Sequence, residues 1–451
     1  MAGAVLSGFC REITQHQNYL STNSTILCGE KLVRWSDYGA PEPAAIITVG
    51  SEEDISKIVK LANTFNVSFL VQSGGNGWAD TFSRRPGGIV IDVSRLKAIS
   101  FNEAKTEVTF QTGVLIEEIV AAAWENDARV ATGTCNCISA LGAGLGGGIG
   151  RGTGLYGLGL DQLIAVNLVD AQGRSSTVTA KSDPDLWWAL KGAGPNFGIV
   201  TSVVYRSYPI AQANNTAWSG LLYYHDSQIE AVVTTIDQLE LEPEMQLDFY
   251  FTQGVVAVLP FYLGSREEGR AKFAPLLELE PFLDQTEVIP YNTWNSAGDS
   301  FCTKGGRKPT YTTNLKAMDP LAWRDVWNQY IDFYNKYAEA NQTTILTECY
   351  STAKNLEIGN AEASYPWRDI KCYSMVIPWY TSESLDPAAN AFGQNVRASL
   401  SPSPGTFSAY INFAHGDESL RSIYGASLAR LQKLKRKYDP RGRFNQWFSL
   451  S

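Results

Sequence analysis

Two thiols, Cys135 and Cys137, stand at the entrance of the stretch GTCNCISALGAGLGGGIGRGTGLYGLGLD, residues 133–161, which is dense in glycine. Glycine reaches positive φ cheaply and admits a ligand close to the main chain. Such density is costly inside a helix or strand, so the stretch reads as a loop wrapped around a ligand. Gly142-Ala143-Gly144-Leu145-Gly146-Gly147 satisfies G-x-G-x-x-G, and Asp161 lies 19 residues beyond Gly142. A Rossmann turn is one reading, but that pattern should open a helix, and here it runs into more glycine. A flexible linker is another, but Leu145, Ile149, Leu155, Tyr156 and Leu158 are too apolar for a solvated spacer.

A second glycine turn, Gly74-Gly75-Asn76-Gly77-Trp78, follows the strand-like SFLVQS ending at Ser73. Its bare backbone amides suit an anion. Further along, alternation in strands sorts side chains by face. Cys372 and Ser374 share one face of CYSMVIPWY, and Tyr410 and Asn412 share one face of SAYINF.

These groups need a scaffold, and 451 residues suffice for two or three domains. The net charge of −9 argues against nucleic acid as a partner. No run approaches 18 apolar residues, so no membrane insertion is expected. MAGAVLSGFCREITQ lacks a basic n-region and is not a convincing signal peptide, which leans towards an intracellular protein and leaves secretion open. Seven cysteines is an odd count, so at least one stays outside intrachain disulfides. Cys10 and Cys28 are close enough to pair if the protein is secreted, and sequons at Asn23, Asn66, Asn214 and Asn341 do not decide the compartment. Aromatic richness, with 12 Trp, 21 Tyr and 19 Phe, fits a large apolar pocket or simply a core.

The pattern predicts an α+β protein. Residues 1–40 read as a lead-in. Residues 41–209 carry short strands at 44–50, 68–73, 87–94, 107–113 and 198–209, a hairpin over 162–180 turning at Gln172-Gly173, and helices after Ser51, at 115–126 and at 183–194. From 210 to 410 the strands become longer and more aromatic (WSGLLYY, QLDFYFTQG, VVAVLPFYLG, TTILTECYS, CYSMVIPWY) and alternate with helices at 226–239 and 319–340. That predicts a second domain on a large, mainly antiparallel sheet. A final segment, 411–451, holds a helix over 418–437 ending in the basic KLKRKYDPRGR, read as a solvated helix end.

Together these stretches resemble the berberine bridge enzyme-like family of FAD-linked oxidases, within the vanillyl-alcohol oxidase, PCMH-type flavin fold. PAAIITVGSEEDISKIVKLANTFNVSFLVQSGGNGW is similar to the opening of that family's FAD domain, and GTC…GAGLGGGIG…LYGLGLDQL to its flavin loop. DPDLWWALKGAGPNFGIVT is similar to the domain's end, and YINF with LKRKYDPRGRFN to its C-terminal return.

The resemblance implies FAD, contacted by Ser73, Gly74, Gly75, Asn76, Gly77, Ile138, Gly142, Gly144, Gly146, Gly147, Gly148, Gly150, Gly198, Ile199 and Val200. The family's histidyl flavin link falls at Asn76, whose amide cannot form it, and His16, His225 and His415 lie in neither glycine loop. The family's cysteinyl tether falls at Cys135, with Cys137 the near alternative and non-covalent FAD equally open. Ile149 stands where many members have tyrosine. Tyr410 matches the active-site tyrosine as base or orienting group, Asn412 is its hydrogen-bonding neighbour, and His415 is a reserve base. Cys372 and Ser374 match the polar strand positions beside the flavin.

The implied function is an oxidoreductase of a hydrophobic secondary metabolite, with hydride transfer to flavin N5 and O2 as acceptor. Tyr291, Trp294, Tyr350, Trp367 and Trp379 are candidate pocket aromatics. A redox-neutral, Diels–Alderase-like cyclase retaining FAD structurally is the alternative, and a non-catalytic binding protein the remote one.

Overall fold

The computed structural model describes residues 10–15, 17–83, 87–401 and 407–451. Near the N-terminus, β1 (Thr25–Cys28), β2 (Ala45–Thr48), β3 (Phe69–Gln72) and β4 (Ile89–Asp92) form a sheet in the order β1-β2-β4-β3. β2 and β3 both run parallel to β4. Parallel neighbours need a crossover. Helix Glu52–Thr64 follows β2 and buries Ile55, Ile58, Val59 and Ala62, the set its periodicity predicts.

Next come β5 (Ile99–Phe101), β6 (Glu107–Gln111), β7 (Ala128–Arg129), β8 (Leu163–Val169), β9 (Ser175–Val178), β10 (Ile199–Arg206) and β11 (Tyr208–Pro209). Five of them form an antiparallel sheet, β5-β6-β10-β8-β9, and β7 pairs only with β11. The β8–β9 hairpin turns at Gly173, where φ is +76°.

The aromatic half builds a nine-stranded sheet from β12 (Thr216–Ser219), β13 (Leu222–Tyr224), β14 (Met245–Thr252), β15 (Val255–Tyr262), β16 (Leu283–Asp284), β17 (Glu287–Pro290), β18 (Tyr311–Leu315), β19 (Thr344–Tyr350) and β20 (Cys372–Ile377). Its central order is β15-β14-β19-β20-β18, with every pairing antiparallel. One face packs on helices Ile229–Gln238, Pro320–Lys336 and Asp386–Leu400, burying Phe249, Phe251, Ile345, Cys349, Cys372 and Val376. Alternation turns Asp248, Tyr250, Leu346, Glu348, Met375 and Ile377 to the opposite face, towards the glycine-rich half.

Some expected elements differ. The glycine-rich stretch is not all loop: it contains short helices at Ala140–Gly146 and Thr153–Tyr156. The first is capped by Ser139, whose hydroxyl accepts from Gly142 N, and packs on helix Pro184–Ala193. Tertiary packing outweighs glycine's low helix propensity there. WSGLLYY is two strands split at Gly220, whose φ is +143° and where a Cβ would strike the Gln285 carbonyl oxygen at 2.3 Å. SAYINF is not a strand; residues 411–413 form a turn. The final helix breaks at Gly425 into Leu420–Tyr424 and Leu428–Tyr438. Its basic end is only partly solvated. Lys435 is buried and donates to Asn196 O (2.8 Å), Asp439 Oδ2 (2.8 Å) and Phe444 O (2.5 Å), tying the tail to the glycine-rich half.

Three disulfides form: Cys10–Cys28, Cys137–Cys302 and Cys349–Cys372. Cys135 is the free cysteine.

Candidate active site

A cavity of about 370 Å3 lies between the two glycine turns, the C-terminal tail and the exposed face of the large sheet. This volume falls in the range of small-molecule sites. Ser73–Trp78, Cys135, Ile138, Gly142, Ala143, Leu145, Gly198, Ile199 and Val200 line one part of it. Trp35, Trp78, Phe301, Leu346, Met375, Ile377 and Phe413 form an apolar wall, and Arg151, Asp248, Tyr250 and Glu348 a polar floor.

The floor is built by strand pairing. Asp248 on β14 and Glu348 on β19 are direct register partners. Glu348 accepts from Thr134 Oγ1 (3.0 Å) and from the Tyr350 hydroxyl (2.9 Å). Asp248 accepts from the Tyr250 hydroxyl (3.2 Å) and from Gln246 Nε2. Arg151, stacked over Phe261 at 4.7 Å, stands 3.8 Å from Asp248 and donates to Gln246 Oε1 (2.6 Å). Burial, and then the neighbouring Asp248 carboxylate, push the Glu348 carboxyl up to about 7. Burial also raises Asp248, against the pull of Arg151.

Tyr410 lines the cavity, and its hydroxyl oxygen accepts from Gly148 N (2.9 Å) and Asn412 Nδ2 (2.7 Å). With both acceptor positions used, its own proton remains to be donated. Burial pushes this phenol up to about 12 despite those two bonds, so at neutral pH it is a donor rather than a base. Asn412 also donates to Ala143 O (2.8 Å), which fixes Tyr410 against the glycine loop.

Cys135 is half-buried, with Sγ 3.6 Å from Cys137 Sγ and 3.9 Å from Cys302 Sγ. Cys137 is consumed by its disulfide, which leaves Cys135 as the thiol at the cavity. Burial pushes that thiol up to about 12. Asn76, with its amide turned so that nitrogen meets acceptors, donates to the carbonyls of Gly74 (3.0 Å) and Cys137 (3.1 Å).

Several sequence-derived assignments need correction. Cys372 and Ser374 lie on the helix-packed face of β20; Cys372 is in a disulfide and Ser374 accepts from Thr347 Oγ1 (3.0 Å). Alternation pairs these residues correctly but does not say which face meets the cavity, and Met375 and Ile377 do. Gly144, Gly146, Gly147, Gly148 and Gly150 do not line the cavity. At Gly146, Gly147, Gly148 and Gly150 other chain segments press on the backbone: a Cβ on Gly146 would meet Asn412 Oδ1 at 2.1 Å, and one on Gly150 the Thr132 carbonyl oxygen at 1.7 Å, whereas at Gly144 the nearest neighbour is the Tyr205 hydroxyl at 3.9 Å. His415 is buried, bonded to Thr310 O (3.1 Å) and stacked on Tyr311 outside the cavity; His225 is exposed, and His16 lies outside the described residues. Tyr291, Trp294, Tyr350, Trp367 and Trp379 are not lining residues, although Tyr350 supports Glu348. Sequence reasoning missed Asp248, Glu348 and Arg151. A charged residue inside an otherwise apolar strand, as in QLDFYF and TILTECY, was the available signal.

The chemistry of the cavity suits a dinucleotide. No backbone–backbone bond among the described residues uses the N–H groups of Gly74, Gly75, Asn76 or Gly77, which leaves a row of donors at the cavity for phosphate. The remaining lining there is apolar and backbone-rich, as a flat ring system requires. Fold and site thus define a class, a PCMH-type FAD enzyme with a large antiparallel sheet laid over the cavity. Residues 43–179 match the family described as FAD binding domain, and residues 409–449 the one described as berberine and berberine like. An FAD-linked oxidoreductase, hasG of Aspergillus fumigatus, is 34% identical over 94% of this chain and 96% of its own. Another, OXR1 of Pyricularia oryzae, is 32% identical over 90% and 84%. The chain belongs to the berberine bridge enzyme-like family of FAD-linked oxidoreductases. Among solved structures, a xylooligosaccharide oxidase from Myceliophthora thermophila superposes with a TM-score of 0.81 (21% identity, 93% of this chain and 94% of that one). The berberine bridge enzyme-like protein 1 of Physcomitrella patens gives 0.83 (18% identity, 99% of each chain).

Proposed function

We propose that this protein is an oxidase of a hydrophobic small molecule bearing one hydroxyl or amine, with Glu348 as the base. The observation that carries this reading is a buried carboxyl lining the cavity with a pKa near neutrality, in reach of both protonation states. Bound FAD supplies the hydride acceptor. Glu348 removes the proton from the substrate's O–H or N–H, and Thr134 and Tyr350 hold its two oxygens in place. Tyr410 donates its phenolic proton as an orienting hydrogen bond. The wall of Trp35, Trp78, Leu346, Met375, Ile377 and Phe413 excludes water and takes the substrate's apolar body. A sugar calls for more convergent polar groups than this wall offers, which separates this chain from the xylooligosaccharide oxidase it resembles in fold.

O2 is the proposed final acceptor, and Cys135 the proposed flavin tether. The three disulfides also favour maturation in an oxidising compartment. The test is anaerobic mixing with a panel of lipophilic alcohols, phenols and amines. Loss of the oxidised flavin absorbance with one of them supports the reading. A product of unchanged mass formed without O2 consumption would replace it with a redox-neutral cyclase.

A further inference from the structure

Arg34 belongs to the irregular lead-in, yet it is 5% exposed and lines the cavity beside the first glycine turn. Its Nη2 donates to Gly77 O (2.6 Å), its Nη1 donates to Gln72 Oε1, and its guanidinium lies over Phe82 at 5.4 Å. The next residue, Trp35, donates its backbone N–H to Gly75 O (2.9 Å), so the lead-in is laid along the turn. Both acceptors of Arg34 are neutral, and among the described residues no carboxylate pairs with it. Burial lowers its pKa only to about 10, which leaves the charge intact at neutral pH.

Arg129 is likewise buried with only neutral acceptors among the described residues, Asn215 Oδ1 (2.8 and 3.0 Å) and the Tyr156 hydroxyl (3.3 Å), but it does not line the cavity. Some other buried cations have acids. Arg368 makes a two-point pair with Asp161 (2.7 and 2.8 Å), and Lys435 meets Asp439. Lys308 makes no ion pair among the described residues but gives its ammonium to the carbonyls of Trp35, Thr303 and Gly305, outside the cavity, with the Asp37 carboxylate near enough to favour its charge. A buried guanidinium without a counter-charge is strongly disfavoured. Beside Arg34 lies the cavity, where, among the described residues, the N–H groups of Gly74 to Gly77 also have no hydrogen-bond acceptor.

We propose that Arg34 is the charge partner of the FAD pyrophosphate, holding the cofactor through its phosphates rather than through its ring. This stands on the cofactor alone and is independent of the role given to Glu348. Arg34 is a cofactor-positioning residue reached from the lead-in, not from either glycine loop. The competing reading is a structural clip that ties Gln72 to Gly77 and sets the shape of the turn.

The experiment uses the full chain in a Cys135→Ala background, so that flavin exchanges freely. After flavin removal, FAD and riboflavin are titrated by fluorescence quenching into the parent, R34M and R34K. Loss of one charged contact should weaken FAD about 10- to 100-fold in R34M, with riboflavin affinity unchanged and R34K intermediate. Unchanged FAD affinity in R34M overturns the proposal, and equal weakening of FAD and riboflavin replaces it with the clip. Should R34M not fold, the parent decides. FAD affinity that falls with added salt while riboflavin affinity does not supports the phosphate contact, and a salt-independent FAD affinity overturns it.

Discussion

Asp248 and Glu348 face each other in register across β14 and β19, and both carboxyl groups line the cavity. Two like charges this close, away from water, do not ionise independently; the pair loses its protons in two separated steps. Burial raises both carboxyls; Arg151, at 3.8 Å, pulls against this on the Asp248 side, while Asp248 adds to the rise at Glu348, which reaches about 7.

Replacing the base should therefore be severe. E348Q keeps the shape and the Tyr350 and Thr134 neighbours but cannot take a proton. We expect turnover to fall by about 10²- to 10⁴-fold and the acid limb of the parent's pH–rate profile, near 7, to vanish. Steady-state rates across pH 5–9 with the substrate that bleaches the flavin check this.

D248N should move that limb rather than remove it. Without the facing carboxylate, Glu348 ionises more easily, so the inflection shifts to lower pH. Stability changes in parallel. The folded Glu348 pKa, about 7, lies above its ordinary value near 4.5, so the native state binds more protons than the unfolded chain between those limits. Stability is then lost as pH rises through that window. E348Q removes this penalty, and urea unfolding at pH 5 and pH 8 should show E348Q gaining on the parent much more at the higher pH.

Y410F tests the donor role of the phenol. A group with a pKa near 12 is not the titrating base, so the acid limb should stay where it is. The rate should drop by about tenfold, the worth of one neutral hydrogen bond of ~1.4 kcal/mol. A disappearing limb would return the base assignment to Tyr410.

The cysteines separate cleanly. Acid precipitation of the parent should carry flavin into the pellet, and C135A should release it to the supernatant, while C137A keeps the tether. C349S/C372S removes a bridge with a sequence separation of 23 on the far face of the sheet. Loop entropy predicts a stability loss of about 3 kcal/mol with the flavin spectrum and turnover of the folded protein intact.

Much was legible in the order of residues. Helix Glu52–Thr64, the β8–β9 hairpin and the strands of the aromatic half follow their periodicities. Ser73–Gly77, Cys135, Ile138, Gly142, Gly198 to Val200 and Tyr410 all line the cavity. Cofactor class and family were readable because the glycine turns need particular residue types at particular spacings. Gly146, Gly147, Gly148 and Gly150 do not line the cavity; absence of a Cβ looks the same in sequence whether a ligand or a neighbouring chain segment takes the space.

Local spacing determined the elements and the glycine turns, and the family resemblance marked Asn76 as the position where a histidyl link would fall. Only the tertiary structure decided which face of each strand meets the cavity, and so exchanged Cys372 and Ser374 for Met375 and Ile377. It alone brought Asp248 to Glu348 and laid Arg34 along the first glycine turn. Alternation is a property of one strand. Facing, pairing and the pKa values that follow from them are properties of what packs against it.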